Sequence, residues 1–462
     1  MKRRCTRIRC TRGRSASSIP KGGSRNSIRN IVAGVQREVV VAIPLSEPPA
    51  RTESNDARLP VTVVCGFVGA GKSTLVRKLL TGRTSGRMAL LVHDRSDAGL
   101  DPAPYRSQGV EVFRLGEVLT ELVQRCVGCS LRESLTSAVM AIADMGRFDR
   151  LLVECSGLVE PVFVAEVFND AWENQEPLAS KARLDHLVTV VDSRTLWDDL
   201  HAVDDVQARG VSCGMDDGRT ISELVVEQVE YATVLVLSKT EGLPSGKQRR
   251  LRNLLEALNP EAVMLSMSDE LELEGQILGA RTLASMPISF QPGWAKLIHG
   301  APLPTISSAH WTMGVFKATR PFHPERLWDL IESDWPGMLR CKGHFWIASQ
   351  PERCFSWEQT AGARHFECIG DWWVATPRDE WPTGRAFEAE LTQQWSVEFG
   401  DRRQTFGWIG YRLDVMAWRR RLQRCLLTPS EVLEGESGWR RFDDPFARAI
   451  AHADAYDEGD LD

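Results

Sequence analysis

The stretch VTVVCGFVGAGKSTLVRKLL, residues Val61–Leu80, joins a run of β-branched residues to a glycine-rich turn and an apolar-periodic segment. The first run predicts a buried strand, and the apolar spacing after the turn predicts a helix. The turn matches the pattern G-x-x-x-x-G-K-[ST], whose backbone N–H groups wrap around phosphate oxygens. The stretch therefore predicts a P-loop, in which the helix N-terminus adds its positive end to the phosphate site.

Each residue type in this loop has a chemical use. Glycine allows backbone angles that other residues avoid. The lysine can reach the β- and γ-phosphates of a nucleotide, and the serine hydroxyl can ligate Mg²⁺. The predicted nucleotide-binding residues of the loop are Gly66, Gly69, Ala70, Gly71, Lys72, Ser73 and Thr74.

The composition is that of an ordinary globular protein with room for two or three domains. The chain has 462 residues, of which 43% are hydrophobic and 26% charged, and no apolar run approaches the roughly 18 residues of a membrane span. Its eleven cysteines lack the spacing of a disulfide framework, and no secretory signal is recognisable. This pattern favours a reducing compartment, with the cytoplasm as the expected location.

The first part of the chain is strongly basic. Residues 1–37 contain eleven Lys or Arg and no acidic residue. We predict a disordered basic head over residues 1–55, because the segment has too little apolar surface to form a core. Three interpretations of this head remain open: an organelle-targeting peptide, a nucleic-acid-binding arm, or a non-native upstream extension.

Strand and helix patterns alternate from Val61 onward. Further strands are predicted at residues 88–94, 110–115, 149–155, 187–192, 233–239 and 262–267. Continuous apolar strands separated by helices predict an α/β fold with a mostly parallel sheet covered by helices. We assign this P-loop NTPase domain to residues 56–290.

A smaller α+β domain is predicted at residues 305–445, followed by an acidic tail at 446–462. A strand, turn and helix pattern opens the second domain, and strand-like pieces follow at 344–350, 353–360 and 371–375. Tryptophan is concentrated in this region, and core packing is the expected reason for it.

Two further segments supply the partners that a P-loop needs. The predicted strand at 149–155 ends in Glu154, followed by Ser156 and Gly157. A carboxylate at a strand tip beside the loop can hold the Mg²⁺ water shell, and a glycine N–H can approach the γ-phosphate. The predicted catalytic residues are therefore Lys72, Ser73 and Glu154.

The segment Ser238-Lys239-Thr240-Glu241 ends another predicted strand, where a guanine-nucleotide protein has Asn-Lys-x-Asp. Glu241 keeps a carboxylate acceptor for guanine on a longer side chain. The stem of Lys239 can pack on the base, whereas Ser238 lacks the usual amide. The position of this motif favours GTP over ATP.

Taken in order, these motifs resemble the CobW-type family of P-loop metallochaperone GTPases. The resemblance extends over residues 61–445 and includes VHDRSDAGLD, CVGC, ECSGLVEP, SKTE, RPFHPERL and GDRRQTFGWIG. It implies an N-terminal GTPase domain, a C-terminal CobW domain, and the cofactors GTP and Mg²⁺. It also places Asp94 and Asp101 in the switch segment of the family.

The resemblance implies a metal site that departs from the family pattern. Cys126 and Cys129 fall where the family has Cys-x-Cys-Cys, and Gly128 replaces the middle cysteine. Thiolates favour Zn²⁺ or Cu⁺, and Zn²⁺ takes four ligands, so two cysteines leave the site incomplete. His93, Asp94, Glu154 or a client residue could complete it. Two structural cysteines and a redox pair remain the alternatives.

These features predict a GTP-hydrolysing metallochaperone, with zinc as the expected metal and a client metalloprotein as its partner. The rival is a nucleotide-dependent adaptor, for example a ribosome-associated factor, that carries no metal. A P-loop kinase is a weaker third alternative. No specific nucleic acid and no membrane are expected as partners, and homodimer formation is left open.

Overall fold

The computed structural model describes residues 7–9, 57–82, 86–93, 110–115, 127–168, 178–209, 219–278, 292–300 and 310–451. These residues divide into two compact units. One unit lies within residues 45–293. The other lies within residues 294–462 and also includes a short strand, β1 (Arg7–Arg9).

The first unit contains a seven-stranded sheet in which all neighbouring strands are parallel. Its order is β4-β3-β5-β2-β6-β7-β8. The strands are β2 (Leu59–Cys65), β3 (Met88–Val92), β4 (Glu111–Arg114), β5 (Arg150–Glu154), β6 (Ala182–Asp192), β7 (Val234–Ser238) and β8 (Val263–Ser266).

Helices lie between most of these strands in the described part of the chain. They are α1 (Lys72–Thr81), α2 (Val127–Asp144), α3 (Pro161–Val167), α4 (Leu196–Asp199), α5 (Ile221–Glu230), α6 (Ser245–Leu258) and α7 (Glu270–Ile277), with a 3₁₀ turn at Leu178–Ser180. The prediction of a mostly parallel sheet covered by helices is confirmed.

Both faces of the central part of this sheet are buried, which explains why strands such as β2, β3 and β7 are apolar at almost every position. On one face, Val64 of β2 belongs to the same buried cluster as Leu75 of α1. On the other face, Val63 belongs to a cluster that contains Leu135 of α2. Helices on both sides require apolar residues at successive strand positions, as the sequence shows.

The second unit contains a six-stranded sheet in the order β1-β12-β11-β10-β13-β9, antiparallel except for the pairing of β1 with β12. Its other strands are β9 (Trp311–Ala318), β10 (Met338–Phe345), β11 (Arg353–Thr360), β12 (Ala363–Asp371) and β13 (Gln404–Tyr411). Its helices are α8 (Gly293–Ile298), α9 (Pro324–Glu332), α10 (Arg385–Gln394), α11 (Val415–Cys425), α12 (Pro429–Leu433), α13 (Gly435–Trp439) and α14 (445–451).

Aromatic residues fill the core of this second unit. Trp357 of β11 and Trp408 of β13 are buried in one cluster with Trp418 of α11, and Trp346 and Trp439 are buried in a second cluster. The tryptophans named here therefore serve as core residues, as the sequence predicted.

Two predicted strands of the second domain are wrong. The strand expected at 344–350 shares only residues 344 and 345 with β10, which extends over Met338–Phe345. Residues 371–375 were expected to be extended, but Trp373–Ala375 forms a 3₁₀ turn. The buried carboxylate of Asp401 accepts hydrogen bonds from the backbone N–H groups of Trp373 and Val374, at 3.0 and 2.9 Å. A long-range cap of this kind cannot be recognised in a local apolar pattern.

Other predictions lie partly outside the described residues. Strand β1 falls within the predicted basic head and pairs with β12 at one edge of the sheet, while residues 1–6 and 10–56 are not described. The acidic tail is described only as far as residue 451. Within the described parts of the chain, no helix is both long and apolar enough to cross a membrane.

Candidate functional site

The glycine-rich loop leaves β2 at the carboxyl edge of the parallel sheet and leads directly into α1. Gly66 opens the loop with φ of +135°, and a Cβ atom there would lie 2.4 Å from the backbone oxygen of Val190 in β6. No larger residue fits this approach without moving the backbone. The loop is therefore packed closely against the neighbouring strand.

Lys72 is the first residue of α1, and its side chain turns back over the loop. Its Nζ atom donates hydrogen bonds to the carbonyl oxygens of Gly66 (2.9 Å) and Phe67 (3.3 Å). The ammonium group thus lies beside the loop backbone and the N-terminus of the helix. The ammonium group carries a full positive charge and the helix N-terminus a partial one, so together they suit a bound phosphate.

Ser73 and Glu154 meet at the same edge of the sheet. Because β2 and β5 are parallel neighbours with Val64 opposite Glu154, the end of β5 lies beside the start of the loop. The Ser73 hydroxyl donates to Oε1 of Glu154 at 2.6 Å, and Glu154 is only 5% exposed. A hydroxyl and a carboxylate are hard oxygen donors, so this pair fits Mg²⁺.

The predicted γ-phosphate element lies directly against the loop. A Cβ atom on Gly157 would lie 2.6 Å from Cγ2 of Val68 and 2.7 Å from its backbone nitrogen. Glycine at this position therefore allows two backbone segments to approach more closely than side chains permit.

The end of β7 holds the loop from the other side. The Ser238 hydroxyl is buried and lies 2.7 Å from the carbonyl oxygen of Ala70 and 3.1 Å from that of Val191. Ser238 thus makes a hydrogen bond to the loop backbone, in spite of lacking the amide expected at this position.

Lys239 also contacts the loop. Its Nζ atom donates to the carbonyl oxygen of Gly69 at 2.9 Å and forms an ion pair with the carboxylate of Asp192 at the end of β6. The sequence interpretation assigned no role to Asp192, although its position at a strand tip was a usable signal.

Glu241 lies at the edge of this arrangement. Its side chain is exposed, and its backbone oxygen accepts a hydrogen bond from Nη2 of Arg194 at 3.2 Å. Unlike Ser238, which is buried against the loop, Glu241 has an exposed carboxylate that can accept hydrogen bonds from a base.

Most of the predicted metal and switch residues lie outside the described part of the chain. Asp94, Asp101 and Cys126 are not described, and Cys129 is described only as a backbone position within α2. Among the residues that are described, no group of three or more His, Cys, Asp or Glu could hold a metal ion.

His93 is the one proposed completing ligand that precedes this undescribed stretch. It is buried at the end of β3, and its backbone N–H donates to the carbonyl oxygen of Glu154 at 2.8 Å. The tips of β3 and β5 are therefore joined at the residue that also accepts the Ser73 hydrogen bond.

Two family descriptions match the chain. Residues 60–266 match the CobW/HypB/UreG nucleotide-binding domain, and residues 312–426 match the cobalamin synthesis protein CobW C-terminal domain. The two matches fall in the two sheet-containing units, in the order that the motifs indicated.

Curated relatives carry zinc-related names. The zinc-regulated GTPase metalloprotein activator 1 of Dictyostelium discoideum is 31% identical over 399 residues, covering 84% of each chain. The zinc chaperone CobW of Pseudomonas aeruginosa is 28% identical, covering 51% of this chain and 64% of its own.

Among solved structures, the Zn(II)-bound YjiA GTPase from E. coli is 18% identical. It covers 80% of this chain and 99% of its own, with a TM-score of 0.35.

Proposed function

The chain belongs to the CobW/HypB/UreG family, and from this premise we propose that it is a metallochaperone that hydrolyses GTP and transfers Zn²⁺ to a client metalloprotein. The observation that carries the nucleotide half of this proposal is the Ser73–Glu154 hydrogen bond beside the loop. The zinc half is supported by the names of the relatives and by the thiols of Cys126 and Cys129.

Several described residues have separate roles in the chemistry at the phosphates. GTP with its Mg²⁺ supplies the phosphoryl group and the counter-charge. Lys72 neutralises charge on the phosphates, while Ser73 and Glu154 hold the metal ion directly or through water. Gly157 offers a backbone N–H beside the loop. Catalysis by these groups consists of positioning and electrostatic stabilisation.

The base is held by residues at the end of β7. Lys239 packs along the base, and Glu241 accepts hydrogen bonds from guanine. Ser238 contributes indirectly, because its hydroxyl fixes the loop at Ala70.

The zinc site in this proposal consists of Cys126 and Cys129, completed by His93, Asp94, Glu154 or a group of the client. His93 supports a link to the nucleotide, since it donates to the backbone of Glu154. Asp94 and Asp101 belong to the segment that responds to GTP. A change at the phosphates can then tighten or loosen the zinc site.

The remaining assignments belong to the same proposal. The GTPase domain extends over residues 56–290 and the CobW domain over 305–445. The client is a metalloprotein, in keeping with the name of the Dictyostelium relative.

The test is the zinc content of the purified full chain, measured after dialysis against Zn²⁺ with GDP or with a non-hydrolysable GTP analogue. GTP hydrolysis is measured on the same preparation. We expect one zinc ion per chain, retained better with the GTP analogue. GTP hydrolysis by a chain that binds no zinc would overturn the proposed metallochaperone function and favour a nucleotide-dependent adaptor. An absence of hydrolysis would overturn both.

A further inference from the structure

The segment that carries Gly157 is held by residues from a distant part of the chain. Gln228 lies in α5, is 1% exposed, and donates from Nε2 to the carbonyl oxygens of Gly157 (3.0 Å) and Val159 (3.1 Å). A buried amide thus spans two carbonyl groups of the segment that faces Val68 of the loop.

Arg219 holds the same segment from two positions before the start of α5. Its Nη1 atom donates to the carbonyl oxygen of Leu158 at 3.0 Å and to the carboxylate of Glu160 at 2.6 Å. Together with Gln228, it binds three consecutive carbonyl groups of residues 157–159. The path of this segment is therefore set by α5 and its N-terminal flank.

Gln228 is itself fixed to the sheet. Thr189 of β6, which is 2% exposed, donates from its hydroxyl to the backbone oxygen of Gln228 at 2.6 Å. At the other end of α5, Thr220 and Glu223 form a capping box. The helix therefore provides a rigid support on one side of the segment.

A purely structural role is the plain alternative, and the chain offers a comparison for it. Asn259 is also a buried amide that donates to backbone carbonyl groups, those of Val229, Glu230 and Ala232. These carbonyls lie at the end of α5 and beyond, and none belongs to residues 157–159. The same chemistry thus occurs at the nucleotide segment and also away from it.

We propose that Gln228 is a positioning residue for GTP hydrolysis. It holds the Gly157 segment against the loop, so that the backbone N–H of Gly157 meets the γ-phosphate. This inference rests on the proposed GTPase function and goes beyond it. Because GDP has no γ-phosphate, loosening the segment weakens the binding of GTP and slows its hydrolysis without changing the binding of GDP.

The test compares Gln228→Met, which keeps the length of the side chain but removes the donor, with Asn259→Leu. For both variants and the wild type, kcat and KM for GTP are measured, with the Kd of GDP, the Kd of a GTP analogue, and the Tm. We expect Gln228→Met to lower kcat about 10- to 100-fold and to weaken binding of the GTP analogue more than binding of GDP. Asn259→Leu is expected to lower Tm but to leave kcat and the ratio of the two Kd values unchanged.

If Gln228→Met lowers Tm as Asn259→Leu does and keeps the wild-type kcat and Kd ratio, Gln228 is structural and the inference is overturned. If Gln228→Met does not fold, Arg219→Met is measured instead, because Arg219 is partly exposed. It must shift kcat and the Kd ratio in the same direction, and unchanged values overturn the inference. A wild type without GTP hydrolysis overturns the proposed function as well, which separates the two failures.

Discussion

The Ser73 hydroxyl donates a 2.6 Å hydrogen bond to the carboxylate of Glu154, although the two residues are 81 positions apart in the sequence. The contact arises because β2 and β5 are parallel neighbours whose carboxyl ends meet at one edge of the sheet. It joins the helix that follows the glycine-rich loop to the strand that precedes Gly157. Several consequences of the proposed mechanism depend on this edge.

Glu154→Gln keeps the size of the side chain and removes its charge. We expect the variant to need about 10- to 100-fold more Mg²⁺ for half-maximal GTP hydrolysis, as for other residues that support a metal ion. Titration of the hydrolysis rate with Mg²⁺ measures this. Glu111→Gln is the control, because Glu111 forms an exposed ion pair with Arg147. An unchanged Mg²⁺ requirement in Glu154→Gln would remove Glu154 from the metal site.

Lys72→Ala is expected to lower kcat for GTP about 100-fold or more, since it removes a charge that stabilises the transition state. Its Nζ atom donates to carbonyl groups of the glycine-rich loop and is not part of the buried core, so the fold should remain. Turnover and the circular dichroism spectrum are measured together. The control is Lys78→Ala. Lys78 lies on the same helix and forms an ion pair with Glu270, so this variant should keep full activity. Equal turnover in both variants would contradict the role of Lys72.

Ser238→Ala removes the hydroxyl that holds the loop at Ala70. Losing one hydrogen bond of this kind costs about 1 kcal/mol, so the Kd of GTP and that of GDP should each rise about fivefold. Equilibrium binding of a fluorescent nucleotide measures both constants. Ser266→Ala provides the control, because the Ser266 hydroxyl contacts Ser268 at the end of the next strand. Nucleotide binding that is unaffected in Ser238→Ala would show that the loop does not need this contact.

The positions of the strands could be predicted closely, and the reason is the burial of the parallel sheet. Strand β7 was expected at 233–239 and lies at Val234–Ser238, because apolar runs flanked by polar residues fix both ends. Strand β6 begins five residues before its predicted start at 187. Its first part is polar, but Asp185 is buried in ion pairs with Arg150 and Arg183, and such partners cannot be read from a local pattern.

The candidate site was predictable where a short motif carries the chemistry and less so where distant residues support it. Lys72 and Ser73 follow from spacing alone. Arg219 and Gln228 act through contacts with residues 59 and 71 positions away, and nothing in their neighbouring residues indicates those partners. For Asp192, which pairs with Lys239 47 positions away, the position at a strand tip was the one available signal. Supporting residues of this kind need a structure.

The stability of the second unit is expected to depend on pH through Glu358. Burial would raise the pKa of Glu358, but the nearby charges of Arg340 and Lys342 lower it below its ordinary value of 4.5. A carboxyl group whose pKa is lower in the folded state stabilises the protein above its ordinary pKa. That contribution is lost as the pH falls below about 4.5.

Glu358→Gln should therefore lower the free energy of unfolding by about 3 kcal/mol at pH 7, because it leaves the buried Arg340 without its charged partner. The difference from the wild type should shrink between pH 5 and pH 3. Thermal unfolding at several pH values measures it. Glu367→Gln, on the neighbouring strand, is the control and should show a small difference at every pH. A constant difference for Glu358→Gln across this range would argue against the ion pair.

The central claim is that the nucleotide state controls zinc binding at Cys126 and Cys129. Its most direct test is competition for Zn²⁺ against a chromophoric chelator, with GDP or with a non-hydrolysable GTP analogue. The wild type is compared with Cys126→Ser/Cys129→Ser and with the control Cys354→Ser/Cys368→Ser, whose cysteines lie in β11 and β12 of the other unit. The wild type and the control should bind Zn²⁺ about 5- to 150-fold more tightly with the GTP analogue, the usual range for coupled sites. The Cys126→Ser/Cys129→Ser variant should lose both the affinity and its dependence on nucleotide. If that variant competes for zinc as well as the wild type in both nucleotide states, the two cysteines do not form the site and the account is contradicted.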